Sequence, residues 1–339
     1  MKLNPFSQAK LNRRRALKTL FCSSAALAMN VRSQSALAAG DEAQAEFILL
    51  GDFGSNQSPQ FAVAEGMKKY VVDRGIKPEA LLLLGDNFYS KMSGGLKSER
   101  WKVGFEDLYS KDVFDCPCPA VLGNHDYHDN IGGEQVQLAY AKQGGTRWHM
   151  PAKWYRMDMG GKDRRITFLF IDTNTVKISG VPYAKDLAKK NRPSLTEQEE
   201  EEQWAWLKSE LAKSRGEFTI VVGHHPVYSN GSHGDSKDLI VKLAPLLEEH
   251  SVHAYVCGHD HDMQHLQMEN SKTSFLLSGG GGARIRELKN KDRKEPYGRN
   301  IYGFSHMSLH ADKLIFRHLD ANGKLIHQFS KGLDFSWKV

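Results

Sequence analysis

The sequence predicts an α/β fold: two packed β-sheets with helices on the outside. Two observations carry that expectation. Apolar runs of strand length alternate with segments whose apolar residues recur at helical spacing. Five of the apolar runs also stop at a glycine followed by a side chain able to hold a metal. Open α/β sheets present their chemistry at such carboxyl ends.

At 40% hydrophobic and 25% charged residues, the chain has the composition of an ordinary soluble globular protein. The formal net charge of +6 suggests a nucleic-acid partner, but its distribution argues against one. Residues 1–38 hold Lys2, Lys10, Arg13, Arg14, Arg15, Lys18 and Arg32 and no acid. Removing these seven from 46 bases leaves 39 against 40 acids, so the remainder is near neutral.

The basic leader reads as an export signal. Asn12-Arg13-Arg14-Arg15-Ala16-Leu17-Lys18 resembles the twin-arginine pattern, departing from it at Asn12 and Ala16. The mildly apolar stretch Thr19 to Val31 follows, then the small-x-small signal Ala36-Leu37-Ala38. The stretch is too short and polar to span a membrane, so no stable membrane anchor is expected. A plain Sec signal or an uncleaved basic tail are the alternatives. The expectation is a signal peptide over 1–38, a linker over 39–45 and one domain over 46–339. The twin-arginine machinery would be the transient partner, and the destination periplasmic or secreted. Cys22 leaves with the leader, and Cys116, Cys118 and Cys257 remain. That odd number leaves at least one thiol unpaired. Cys257, in an apolar run, reads as buried and inert.

Taken in order, Phe47–Leu50 is the first strand, ending in Gly51-Asp52. Phe61 to Arg74 has helical spacing and stops at Gly75. Ala80 to Leu84 is a buried strand closed by Gly85-Asp86-Asn87-Phe88-Tyr89, completing a right-handed crossover. Trp101 to Tyr109 reads as a helix and Ala120–Leu122 as a short strand ended by Gly123-Asn124-His125-Asp126. Trp154–Met159 and Arg165–Ile171 read as strands joined through Gly160-Gly161. Residues 174–193 form a loop. Thr196 and Glu199 make a capping box for a helix to about Ser214. Phe218–Val222 is a strand ended by Gly223-His224, and Asp238–His250 a helix. His253–Cys257 is a strand ended by Gly258-His259-Asp260-His261. Phe275–Leu277 runs into Gly279–Gly282, which reads as a flexible turn. Strands follow around 304–309, 314–319 and 325–329, with an Asn322-Gly323 hairpin between the last two.

The strand ends supply seven donors: Asp52, Asp86, Tyr89, Asn124, His224, His259 and His261. Most are hard oxygen or imidazole ligands, suited to a divalent or trivalent metal rather than a thiolate site. A single four-coordinate zinc needs three or four. Seven suit two ions sharing a carboxylate, the usual device for transferring a phosphoryl group to water. There one ion turns a bound water into hydroxide and both stabilise the oxygens of the displacement.

These motifs, in order, resemble the purple acid phosphatases of the calcineurin-like metallophosphoesterase superfamily, most closely the small, tartrate-resistant type. Arg147-Trp148 with Pro151, Phe105-Glu106-Asp107 and Ile171-Asp172-Thr173 strengthen the likeness, which covers roughly residues 45–330. The resemblance implies a four-layer α-β-β-α sandwich of mixed sheets. It implies ferric iron at Asp52, Asp86, Tyr89 and His261, coloured by phenolate charge transfer. It implies Fe(II), Zn or Mn at Asp86, Asn124, His224 and His259. His125 and His233 match positions that bind phosphate and assist the leaving group. His225 and Tyr228 depart from the mammalian enzymes, which have Tyr and Trp there. The loops at 177–193 and 284–299 are expected to rim the pocket. The activity implied is hydrolysis of small phosphate monoesters by metal-bound hydroxide. The alternatives are a phosphodiesterase or nucleotide pyrophosphatase on the same site, or a catalytically silent secreted binding protein.

Overall fold

The structure, a computed structural model, describes residues 42–179, 194–290, 293–294 and 296–339. The leader, residues 39–41 of the linker and most of the loop at 177–193 lie outside the described residues. Ala43–Val339 is one compact unit. No helix among the described residues is long and apolar enough to cross a membrane.

Strand β1 (Ala45–Leu50) pairs in parallel with β2 (Ala80–Leu83) after the crossover helix α1 (Ser58–Arg74). Gly75, at φ 62°, ends α1 in the left-handed cap that glycine adopts without strain. Two short strands, β3 (Cys118–Pro119) and β4 (Trp148–His149), pair in parallel beside β2. Between them lie α2 (Asn124–His128) and α3 (Gly133–Ala141). The hairpin β5 (Tyr155–Met159) and β6 (Ile166–Phe170) opens the second sheet. Helix α4 (Glu197–Ala212) follows, with the Thr196–Glu199 capping box in place. Next come β7 (Phe218–Val222), α5 (Lys237–Lys242), α6 (Ala244–Glu249) and β8 (Ala254–Cys257). The chain closes with β9 (Met263–Gln267), β10 (Ser274–Ser278), β11 (Tyr297–Arg299), β12 (Gly303–Leu309), β13 (Lys313–Asp320), β14 (Leu325–Gly332) and β15 (Trp337–Lys338).

The first sheet runs β15-β14-β13-β12-β1-β2 and the second β11-β9-β10-β8-β7-β6-β5. Both are mixed, as expected. Strand alternation explains the layering. Phe47, Leu49, Leu82, Phe168, Ile220 and Val222 meet between the sheets, fully or almost fully buried. The opposite side chains of β1 and β2, such as Ile48 and Leu83, pack on Val63, Met67 and Val71 of α1. Val221 of β7 packs on Leu207 and Leu211 of α4 and Leu247 of α6. The result is α-β-β-α, and each fully buried aliphatic side chain contributes about 1.5–3 kcal/mol of transfer free energy.

Several local expectations are corrected. The helix expected at Trp101–Tyr109 is a short α-turn at Glu99–Trp101 running into a π-turn at Lys102–Glu106. The Gln60 amide donates to the Gly104 carbonyl there (3.2 Å), an interaction between distant segments that local pattern does not encode. The strand expected at Ala120–Leu122 is pairing at Cys118–Pro119, with Ala120 making one bridge to Leu83. The helix expected at Asp238–His250 is divided at Leu243, because Pro245 has no N–H to continue the ladder. Strand β9 escapes a hydrophobic pattern because Gln264 and His265 are among its buried residues. Gly279–Gly282 is buried rather than a surface turn: a Cβ on Gly281 would lie 2.3 Å from the Gly51 carbonyl oxygen. Cys116, Cys118 and Cys257 are all free and buried.

A second cluster of histidines is buried by β9, β13 and β14. His265 Nδ1 lies 3.1 Å from His327 Nε2, and His318 is bonded to Ser305 Oγ and the Gln264 carbonyl. Burial pushes His318 down to about 3 and His265 to about 2. The unfolded chain therefore takes up these protons first as pH falls. Their stabilising effect is complete above the ordinary imidazole value and is lost as pH falls from there toward the folded values. Urea unfolding should show stability falling between pH 7 and pH 4, by up to about 1.4 kcal/mol per pH unit for each such ring. His318→Asn should flatten that slope, and an unchanged slope would contradict the assignment.

Candidate metal centre

Strands β1 and β2 of one sheet and β7 and β8 of the other end at the same edge of the sandwich. Asp52 and Asp86 follow the first pair, and His224 and His259 the second. The strand exits are tied together: the Asp52 N–H donates to the Gly85 carbonyl (3.1 Å) and the Gly258 N–H to the His224 carbonyl (3.0 Å). Asp52, Asp86 and His259 lie at φ 56°, 52° and 71°. A non-glycine residue held there costs about 1–2 kcal/mol, and such strain is found where the surroundings over-determine a functional side chain. Two glycines are required by close approach. A Cβ on Gly85 would meet His224 Nδ1 at 2.5 Å, and one on Gly123 would meet Asp86 Oδ1 at 2.2 Å.

The structure brings all nine residues singled out above to this edge. Asp52 Oδ1, Tyr89 Oη and His261 Nε2 form a triangle with sides of 3.1, 3.2 and 3.5 Å. Around His224 Nε2 stand Asn124 Oδ1 and His259 Nδ1, each at 3.3 Å, and Asp86 Oδ1 at 3.4 Å. Asp86 also lies with Asp52 and His261, so its carboxylate borders both groups. Neighbouring ligands on a cation bound at about 2.0–2.3 Å have separations of this size.

The ring orientations make the same case. His224 Nδ1 donates to the Leu84 carbonyl (2.9 Å) and His261 Nδ1 to the Arg284 carbonyl (2.7 Å). A backbone carbonyl only accepts, so each Nδ1 carries the hydrogen and each Nε2 presents a lone pair. Those lone pairs face carboxylate, amide and phenol oxygens. Acceptors facing acceptors call for a cation or a proton between them, and a carbonyl behind the ring is the usual way of orienting a histidine ligand. The residues present fit two metal ions.

Electrostatics agree. Burial, with Asp86 nearby, raises Asp52 well above the usual carboxylate range. Burial also opposes ionisation of Asp86, but His224 and the His125 side chain and backbone N–H hold it low. His224 is pulled down by burial, yet Asp86 outweighs that and raises it to about 9. Two buried carboxylates thus draw positive charge into a pocket where the described residues place no Lys or Arg in ion-pair contact with either.

His125 flanks the centre. Its ring lies 4.4 Å from that of Tyr89, and its Nδ1 is 3.0 Å from Asp129 Oδ2. Burial lowers its pKa, but Asp129 and Asp86 raise it further, leaving it above the ordinary value. His233 flanks the other side, its ring 4.1 Å from that of His259 and its Nδ1 2.7 Å from Asp260 Oδ1. His225 is buried with Nδ1 at 2.8 Å from Thr173 Oγ1, and burial and His224 hold it well below the ordinary value. A cavity of about 330 Å³ opens beside the centre, lined by Lys177, His225, His233, Lys237 and His259 among others.

The motif reading missed Asp126, Asp260 and Arg286 as site residues. Asp126, almost fully buried, accepts from the N–H groups of Asn87 (3.1 Å), Phe88 (3.0 Å) and Gly123 (2.8 Å) and from Gln137 (2.8 Å). It fastens the loops of Asp86, Tyr89 and Asn124 together. Its place in Gly123-Asn124-His125-Asp126 was the available signal; Arg286, in a polar loop, gave none. Asp126→Ala leaves three buried N–H groups unpaired, at about 1–3 kcal/mol each. Urea unfolding should show a loss of about 3 kcal/mol or more, with Asp126→Asn losing less.

Comparison with known proteins gives four findings. The calcineurin-like phosphoesterase family profile matches residues 45–263. The tartrate-resistant acid phosphatase type 5 of Oryctolagus cuniculus is 31% identical over 291 residues, covering 82% of this chain and 88% of that protein. Purple acid phosphatase 7 of Arabidopsis thaliana is 30% identical over 292 residues, covering 84% and 85%. Among solved structures, GAP50, described as the anchor in the inner membrane complex of Plasmodium, superposes with a TM-score of 0.71 at 26% identity, covering 85% of this chain and 88% of that one.

Proposed function

The chain belongs to the calcineurin-like phosphoesterase family, as a metallophosphoesterase of the tartrate-resistant and purple acid phosphatase kind, and from that premise we propose a binuclear acid phosphatase acting on phosphate monoesters. One observation supports the reading above the others: two imidazoles, oriented by backbone carbonyls, aim lone pairs at Asp52, Tyr89, Asn124 and Asp86.

In this reading Asp52, Tyr89, His261 and Asp86 hold ferric iron. Asp86, Asn124, His224 and His259 hold Fe(II), Zn or Mn. Two such ions lower the pKa of water and neutralise charge on the transferred phosphoryl group. The protein's own residues do the rest. His125, whose charged form Asp129 and Asp86 favour, contacts a phosphoryl oxygen. Asp260 accepts a hydrogen bond from the Nδ1–H of His233 and turns Nε2 toward the leaving-group side, where the imidazolium form gives its Nε2 proton to a departing alkoxide. The leader would deliver the folded protein to the periplasm or beyond, with a mature N-terminus near Ala39 by mass spectrometry.

A second reading follows from the likeness to GAP50: a scaffold that binds without turnover. Retention of all seven donors favours the enzyme. Comparing p-nitrophenyl phosphate with bis-p-nitrophenyl phosphate tests the proposal. Preference for the monoester supports it, preference for the diester makes it a phosphodiesterase, and turnover of neither supports the scaffold. Native protein should carry two metals per chain and a visible band. Tyr89→Phe should bleach that band, and Asn124→Ala should cut turnover with modest loss of folding.

A further inference from the structure

Arg286 is the cation that the metal chemistry leaves unexplained. Its main chain is pinned to the centre: the Arg286 N–H donates to the His261 carbonyl (3.3 Å), and the Arg284 carbonyl accepts from the His261 ring (2.7 Å). Its side chain reaches back across the mouth, with Nη1 2.8 Å from His233 Nε2. A guanidinium only donates, so it meets the very atom proposed to face the leaving group. Two other basic side chains of the rim have carboxylate partners: Arg293 lies 2.5 Å from Asp235, and Lys177 3.8 Å from Asp238. Arg286 has no carboxylate in ion-pair contact among the described residues, and its charge is felt by His261.

A half-buried guanidinium held at a pocket mouth without a counter-ion is a ready partner for an oxyanion, which it can engage through two parallel N–H bonds. Its place beside His233, rather than among the seven donors, puts that oxyanion on the departing half of the substrate. We propose that Arg286 is a specificity-determining residue that recognises a second phosphoryl group on the leaving group. This rests on the phosphatase reading above. The reaction stays a hydrolysis. The water oxygen bonds to the terminal phosphorus, the bond to the bridging oxygen breaks with its electron pair passing to that oxygen, and the water protons are shared between the two product phosphates. A phosphate leaves readily as an anion, so a fixed cation serves it where an alkoxide needs a proton. On binding, Arg286 exchanges its contact with His233 for the second phosphoryl group.

The test compares metal-loaded wild type with Arg286→Gln and Arg286→Lys, using pyrophosphate and p-nitrophenyl phosphate. The ratio of kcat/KM for pyrophosphate to that for p-nitrophenyl phosphate should fall about tenfold or more in Arg286→Gln, chiefly through KM, with partial rescue by Lys. Lys289→Gln removes a charge from the same loop and should leave the ratio unchanged, separating contact from general electrostatics. Calorimetric binding of imidodiphosphate, which is not turned over, should show the wild type preferring it to inorganic phosphate and Arg286→Gln losing that preference. An equal effect on both substrates, or no binding preference in the wild type, overturns the proposal. Absence of p-nitrophenyl phosphate turnover by the wild type would instead defeat the phosphatase reading, while the binding arm would still report on Arg286.

Discussion

Two carboxylates, Asp52 and Asp86, leave adjacent parallel strands side by side and almost wholly out of water. Buried charges of like sign repel and are poorly solvated, so such a pair persists only where the surroundings supply positive charge. Much else at this edge follows from that demand. His224 and His261 are turned by carbonyls to face the carboxylates, and the His125 and His259 N–H groups donate to Asp86 and Asp52 at 2.9 and 2.8 Å. The left-handed backbone at both aspartates is the local strain that these surroundings hold in place.

The four-layer sandwich supplies the rigidity this needs. Each sheet is buried on both faces around its central strands, so the ends of β1, β2, β7 and β8 are fixed relative to one another. The chemistry then divides by element. Six of the seven donors stand within three residues of a strand end or open the short helix α2, whereas His233 and Arg286 stand in loops. A stiff frame for the reacting centre and variable loops for the substrate is the usual division in folds that serve many substrates.

The division also explains what the sequence reveals. Gly85-Asp86 and Gly258-His259 are legible because one stretch holds both the strand that positions the ligand and the glycine that lets another ligand approach. The alternation of Phe47, Ile48 and Leu49 discloses two buried faces and hence the layering. Interactions between distant segments are not legible in this way. The π-turn at Lys102–Glu106 depends on Gln60, the polar strand β9 on histidines from β13 and β14, and Arg286 on a backbone contact to His261. The glycine run at 279–282 looks locally like a flexible turn, yet lies packed against Gly51 and the Asp260 carbonyl.

The central claim is that Asp86 lies between two cations. Crystals of the native protein, measured above and below the iron and zinc absorption edges, test it directly. Anomalous difference maps should place one peak beside Asp52, Tyr89 and His261 and a second beside Asn124, His224 and His259, with the Asp86 carboxylate touching both. A single peak, or peaks remote from Asp86 in a metal-replete crystal, would contradict it.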